Sequence, residues 1–252
     1  MHRPRIIPVL LLRGESFVKT TNFRSPQYLG DCHNILKLFN EKFADEMIIL
    51  DIDASRSNFE PRLHFLQELV DKSFMPITYG GGIKTLNHIR DVLRLGIEKV
   101  ALNSAFFNNP SIVSEASRCF GSQSIVVSID VKRHWILGTS IYTRCGTKRE
   151  RGTPGEAAKL AEQLGAGEIL LTSIDREGTM SGFDLELVAN ATKELNIPLI
   201  ASGGARSLED MRTIIKSGHA AGAAASSIFV YCGPHKAVLI SYPTTEEIAS
   251  LL

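Results

Sequence analysis

Metal-binding and disulfide patterns are missing from this 252-residue chain: its four cysteines, Cys32, Cys119, Cys145 and Cys232, form no C-x-x-C pair and have no histidine at ligand spacing. Long hydrophobic runs are missing too. No segment approaches the roughly 18 apolar residues of a membrane span, and no apolar signal core precedes the first strand-like stretch. Neither sign of charge is in excess, with 28 Lys and Arg against 27 Asp and Glu, so nucleic acid or anionic lipid has no clustered basic surface to meet. The expectation is a cytoplasmic protein with free thiols and no metal, cofactor, nucleic acid or membrane. What is present, 44% hydrophobic and 22% charged residues, suits a folded globular chain and excludes disorder.

The chain repeats itself. "PITYGGGIKTLNHIRDVLRLGIEKVALNSA" (Pro76 to Ala105) lies over "PLIASGGARSLEDMRTIIKSGHAAGAAASS" (Pro198 to Ser227) at a constant shift of 122, pairing Gly81 with Gly203, Gly82 with Gly204, and Ser104 with Ser226. The same shift sets Glu46 on Glu168 and Asp53 on Asp175. Within each half, short apolar runs alternate with amphipathic segments such as "TLNHIRDVLRLG" and "SLEDMRTIIKSG", opened by Thr85 or Ser207 and closed by Gly96 or Gly218. Strands are expected near residues 5–11, 46–52, 76–79, 98–102, 124–129, 168–173, 197–201 and 220–224. Strands and helices in this alternation predict an α/β fold, a single (β/α)8 barrel built from two duplicated half-barrels at about 1–122 and 123–252. An open, doubly wound sheet is the alternative. Residues 132–152 break the rhythm and read as a hairpin inserted after the fifth strand.

On such a barrel the residues just past the strands' C-terminal ends form the active face. The repeat places Gly81, Gly82, Asn103 and Ser104 there in one half, and Gly203, Gly204, Ala225 and Ser226 in the other. Bare backbone amides and small residues at helix starts can cradle a dianion. A tight turn accounts for one glycine pair alone; the doubled Gly-plus-Ser pattern predicts two phosphate sites and a small molecule phosphorylated at both ends.

The stretches "FGSQSIVVSIDVKR", "GAGEILLTSIDREGTMSGFD", "IASGGA" and "YGGGI" closely resemble the HisF family, the cyclase subunit of imidazole glycerol phosphate synthase, over about Arg5 to Phe229. The resemblance implies a HisH-type glutaminase partner that releases ammonia at the barrel's N-terminal end. It implies a charged ring at the channel mouth, mapping onto Arg5, Glu46, Lys99 and Glu168, with Glu98 and Gln123 facing the partner. A purely structural salt-bridge cluster is the competing account of those four charges. The resemblance also implies a pocket containing Asp51, Thr172, Asp175, Glu177 and Ser202, and a mobile loop after strand 1, residues 13–30, that carries Lys19.

One catalytic group departs from that family. Ring closure with release of glycerol phosphate needs acid and base work on both sides of the substrate, which the family assigns to aspartates ending strands 1 and 5. Asp130 matches the second; the first falls on Leu11, and laying "VSIDVK" over "PVLLLR" sets the same two residues opposite each other. Leucine cannot transfer a proton, and Leu10, Leu12 and Arg13 offer no carboxylate to replace it. Glu177, in "DREGT", and Glu98 are milder departures that keep the charge and lengthen the arm. The tail "IFVYCGPHKAVLISYPTTEEIASLL" resembles HisF-like paralogues of surface-polysaccharide pathways, which implies ammonia delivery to a separate sugar amidotransferase that makes an acetamidino sugar. A cyclase of histidine biosynthesis with an altered mechanism is the second reading, and a phosphate-sugar isomerase of the sister family the third. His33, His64, His88 and His219 read as solvated or capping residues, Trp135 as hairpin packing, and "TKRERG" (Thr147 to Gly152) as a solvated turn.

Overall fold

The computed structural model describes residues 5–57, 59–135 and 138–251. Its barrel strands are β1 (Arg5–Arg13), β2 (Met47–Asp51), β3 (Ile77–Gly80), β4 (Lys99–Leu102), β5 (Ile125–His134), β6 (Glu168–Ser173), β7 (Leu199–Ser202) and β8 (Gly222–Ala225). Each pairs in parallel with the next, β8 returns to β1, and β5 joins β6 from Glu168 opposite Val126 to Ser173 opposite Val131, so the sheet closes. This is a (β/α)8 barrel, and the open sheet is excluded. The helices between strands are α1 (Cys32–Glu41), α2 (Leu63–Lys72), α3 (Leu86–Arg94), α4 (Ser111–Phe120), α5 (Pro154–Gln163), α6 (Leu185–Thr192) and α7 (Leu208–Lys216), with α8 (Thr245–Ala249) after β8.

The two-residue period of a strand sorts these runs into two cores. In β1, Ile6, Leu10 and Leu12 face the helices, whereas Ile7 and Val9 join Ile48, Ala101, Val126, Leu170, Ile200 and Ala224 in a separate apolar layer inside the barrel. Continuing the same parity outward from that layer puts Arg5 below it and Leu11 above it. One face of one strand thus carries a charged residue, a core layer and a cavity wall.

Helix starts follow the expected chemistry: Thr85 Oγ1 accepts from His88 N at 3.2 Å, and Ser207 Oγ from Asp210 N at 3.2 Å. The ends differ. Gly96 closes α3 with φ +100°, but after α7 the left-handed residue is His219 (φ +55°), not Gly218. Gly218 is demanded instead by crowding, since a Cβ there would lie 2.5 Å from the Ile214 carbonyl oxygen.

The segment after β1 is not a loop. Ser16–Thr21 and Arg24–Asp31 form an antiparallel hairpin continuous with β1, with Leu11 paired to Val18. The expected hairpin after β5 is present, with Gly138–Thr143 returning along β5 and Tyr142 opposite Asp130. It is no isolated insertion, because both halves carry the same device. Each hairpin ends in consecutive left-handed non-glycine residues, Asn22 and Phe23 in one and Arg144 and Cys145 in the other. Asp53 Oδ2 accepts from Gly14 N at 3.2 Å, and Asp175 Oδ2 from Arg133 N at 2.6 Å, so carboxylates matched by the repeat tie down matched hairpin backbones.

Candidate functional site

At the N-terminal end, Arg5 grips Glu46 in a bidentate pair, Nε to Oε1 at 2.7 Å and Nη2 to Oε2 at 2.6 Å. Its Nη1 donates to Glu168 Oε2 at 2.6 Å, and Lys99 Nζ reaches the same oxygen at 3.2 Å. All four side chains are largely buried. Burial opposes the charge on Arg5, but the hydrogen bonds from Glu46 and Glu168 outweigh it and raise its pKa. The cluster spans β1, β4, β6 and the residue preceding β2. It is a charged layer directly beneath the apolar one. Glu98 and Gln123 are exposed at the same end, just before β4 and β5.

A cavity of about 340 Å³ opens at the other end, lined by Leu11, Thr20, Asp51, Gly81, Gly82, Asn103, Ser104, Asp130, Arg144, Thr172, Glu177 and Ser202 among others. Asp130 faces it from the top of β5. Desolvation raises its pKa to about 7, a hydrogen bond with Ser128 opposes the rise, and the nearby Glu177 carboxylate adds to it. Asn103 Nδ2 donates to Asp130 Oδ2 at 3.3 Å and to the Ser128 carbonyl at 3.0 Å. Leu11, 8% exposed, presents only carbon to the same space.

Lys19 lies on a hairpin strand and not on a loop, 3% exposed and ion-paired with Glu177. The hairpin tip is stapled to the β6–α6 turn, with Asn22 Nδ2 donating to the carbonyls of Ile174 at 3.1 Å and Asp175 at 2.6 Å, and Asn22 N to Glu177 O at 2.8 Å. Gly178, at φ +76°, is obligatory because a Cβ would strike the Thr20 carbonyl oxygen. Asp51 is buried and holds the short helix after β2, its Oδ1 accepting from Asp53 N at 3.0 Å and Ala54 N at 2.9 Å. Burial raises its pKa against the pull of those amides and of Arg62. Asp175 does not line the cavity; its carboxylate serves Arg133.

The two glycine pairs have matching geometry and unequal access. A Cβ on Gly81 would lie 2.6 Å from Asp51 O, and one on Gly203 would lie 2.6 Å from Ser173 O, so close backbone approach alone requires both glycines. Gly81, Gly82, Asn103 and Ser104 open onto the cavity, whereas Gly203, Gly204, Ala225 and Ser226 are buried behind it. Ser226 Oγ is nonetheless buried without a hydrogen-bond partner. Sequence reasoning missed Thr20, Asn22, Arg62 and Arg144. The first two stand in "KTTNF", where a polar run ends at an Asn suited to a left-handed turn.

Against known proteins, the family described as histidine biosynthesis protein matches residues 5–234. The chain is 45% identical over 248 residues to the hisF2 protein of Pseudomonas aeruginosa, named provisionally as an imidazole glycerol phosphate synthase subunit, covering 98% of this chain and 99% of that one. The provisionally named hisF3 subunit of Vibrio vulnificus is 43% identical, with 98% and 95% covered. The imidazole glycerol phosphate synthase subunit HisF of Alkaliphilus metalliredigens is 40% identical, with 90% of each chain covered. No helix among the described residues is long and apolar enough to cross a membrane. A closed barrel bearing these motifs, matched along nearly its whole length, belongs to the histidine biosynthesis protein family and resembles its HisF-type subunits.

Proposed function

We propose that this chain is a HisF-type subunit that takes ammonia from a HisH-type glutaminase at its N-terminal end and passes it to a phosphorylated ligand or acceptor at the C-terminal mouth. The observation that carries this reading is Leu11: an apolar side chain stands on the cavity wall, while the charged layer of Arg5, Glu46, Lys99 and Glu168 is complete. Neutral ammonia can cross the apolar layer of Ile7, Val9, Val126 and Leu170, where an ammonium ion would meet a large desolvation penalty. The charged ring below would select and gate, with Glu98 and Gln123 at the glutaminase interface. The two glycine pairs, with Asn103, Ser104, Ala225 and Ser226, would receive phosphate, and the repeat supports two duplicated halves. Asp130, poised near neutrality, would supply the remaining proton transfer, with Lys19 and Glu177 beside it.

Supplying ammonia for acetamidino-sugar formation on surface polysaccharide is the pathway this arrangement favours, with a separate sugar amidotransferase as consumer and the cytoplasm as its place. The second reading, an imidazole glycerol phosphate synthase with an altered mechanism, is favoured by Glu177, a second carboxylate in the cavity. It enters after β6 and is ion-paired with Lys19 of the hairpin that follows β1, while on β1 itself Leu11 still offers no proton-transferring group. Incubating the chain with the aminoimidazole-forming nucleotide and ammonium salt separates the two. Turnover near that of an ordinary cyclase would overturn the delivery reading, and failure to capture and activate a glutaminase would remove its partner.

A further inference from the structure

We propose that Arg144, on the hairpin after β5, is the phosphate anchor of the first half-barrel, so that this hairpin selects a ligand ending in a dianionic phosphate monoester. The inference rests on the reading above that the cavity takes a phosphorylated molecule.

Arg144 stands in a costly backbone state. Its φ is +53° and that of Cys145 is +55°, and two successive non-glycine residues in the left-handed region persist only where surrounding contacts hold them. Three contacts do so. Arg144 N donates to Ser104 Oγ at 3.3 Å, Cys145 Sγ donates to the Ile52 carbonyl at 3.5 Å, and Gly146 packs against Phe23 of the opposite hairpin, where a Cβ would lie 3.2 Å from the ring. The turn is fixed against Ser104, on the wall of the cavity that Gly81 and Gly82 also line.

The guanidinium has been left unneutralised. Arg144 lines the cavity and is exposed, and among the described residues no carboxylate lies within ion-pair distance of it. Its neighbours on the same hairpin differ: Arg133 is paired with Asp184 and Glu186, and Lys148 with Glu150. A permanently charged planar fork beside bare amides matches a phosphate's oxygens in both charge and geometry. The other half has no counterpart, because Asn22 at its hairpin tip already serves the Ile174 and Asp175 carbonyls. A phosphate drawn to Ser104 would also be read at Asp130, since Ser104 Oγ donates to Asn103 Oδ1 at 3.4 Å and Asn103 Nδ2 donates to the aspartate.

The test is titration of the 15N-labelled full chain with inorganic phosphate, following the amide signals of Gly82 and Ser104. We expect saturable shifts in the parent, a Kd raised about 10-fold in Arg144→Met, and an intermediate Kd in Arg144→Lys, which keeps charge but loses the fork. Arg149→Met, removing an exposed charge from the same hairpin, reports the general field and should change Kd by less than about 2-fold. Equal Kd for the parent and Arg144→Met, or equal weakening by Arg149→Met, overturns the anchor while leaving the phosphate reading intact. Absence of any response in the parent overturns both.

Discussion

Leu11 and Asp130 line one cavity from β1 and β5, the first offering only carbon and the second a carboxyl group. Leu11→Asp would restore a proton-transferring group on the β1 side, and a gain of about 10²–10⁴-fold in cyclase turnover is expected if that group is what is lacking. The assay is imidazole formation from the nucleotide and ammonium salt; an unchanged rate would show that Leu11 is not the limiting departure. The same variant should melt lower than the parent, because a nearly buried carboxylate replaces a leucine. Asp130 supplies a pH signature. Its pKa rises from 3.8 to about 7 on folding, so the fold favours the protonated form. The stability this contributes is complete below about pH 4 and is lost as pH rises through about 7. Asp130→Asn should therefore raise the melting temperature at pH 8, with the gain shrinking steadily between pH 7 and pH 4.

The two hairpins are the elements that convert a barrel into a covered site. In the first, Asn22 makes two side-chain hydrogen bonds to the β6–α6 turn and Lys19 pairs with Glu177, so the cover is held from a strand five places further along the chain. Asn22→Ala should cost about 1–3 kcal/mol of local stability, appearing as faster amide hydrogen exchange across residues 16–31 with the barrel strands unaffected. Gly178→Ala should do the same by a different route, pushing the Thr20 carbonyl off its seat. If exchange were unchanged in both, the staple would not be what holds the cover. Strand and helix identities were readable from period and caps, yet the first hairpin was not. "SFVKTT" and "RSPQYLGD" have weak alternation and a proline, and they are strands because β1 extends past the barrel and offers them an edge.

Across the whole molecule, polarity is layered along the barrel axis: charge at the N-terminal end, carbon in the middle, and hydroxyls, amides and carboxylates at the mouth. Arg5 is the common member of the lower layer, bridging Glu46 and Glu168. Among the described residues, Arg5→Met leaves Glu168 with Lys99 as counter-charge and Glu46 with none, and a loss of up to about 3 kcal/mol in denaturant-derived stability is expected. In complex with a glutaminase, the same variant should raise the fraction of released ammonia that escapes to solvent. A stability loss without any escape would favour the structural account of the ring.

Periodicity and the shift between similar stretches carried the barrel, the half-to-half correspondence and the glycine pairs, and the resemblance to the HisF family pointed to the four charged residues at the N-terminal end and to Leu11 at an aspartate's position. Only contacts made in the closed barrel bury Lys19 against Glu177, turn Asp175 to a hairpin rather than the cavity, open the first glycine pair and not the second, and bring Arg144 to the same cavity wall as the first. Those outcomes depend on contacts between residues as far apart as 158 positions. Desolvation, crowding and pairing across such distances arise only once the sheet has closed.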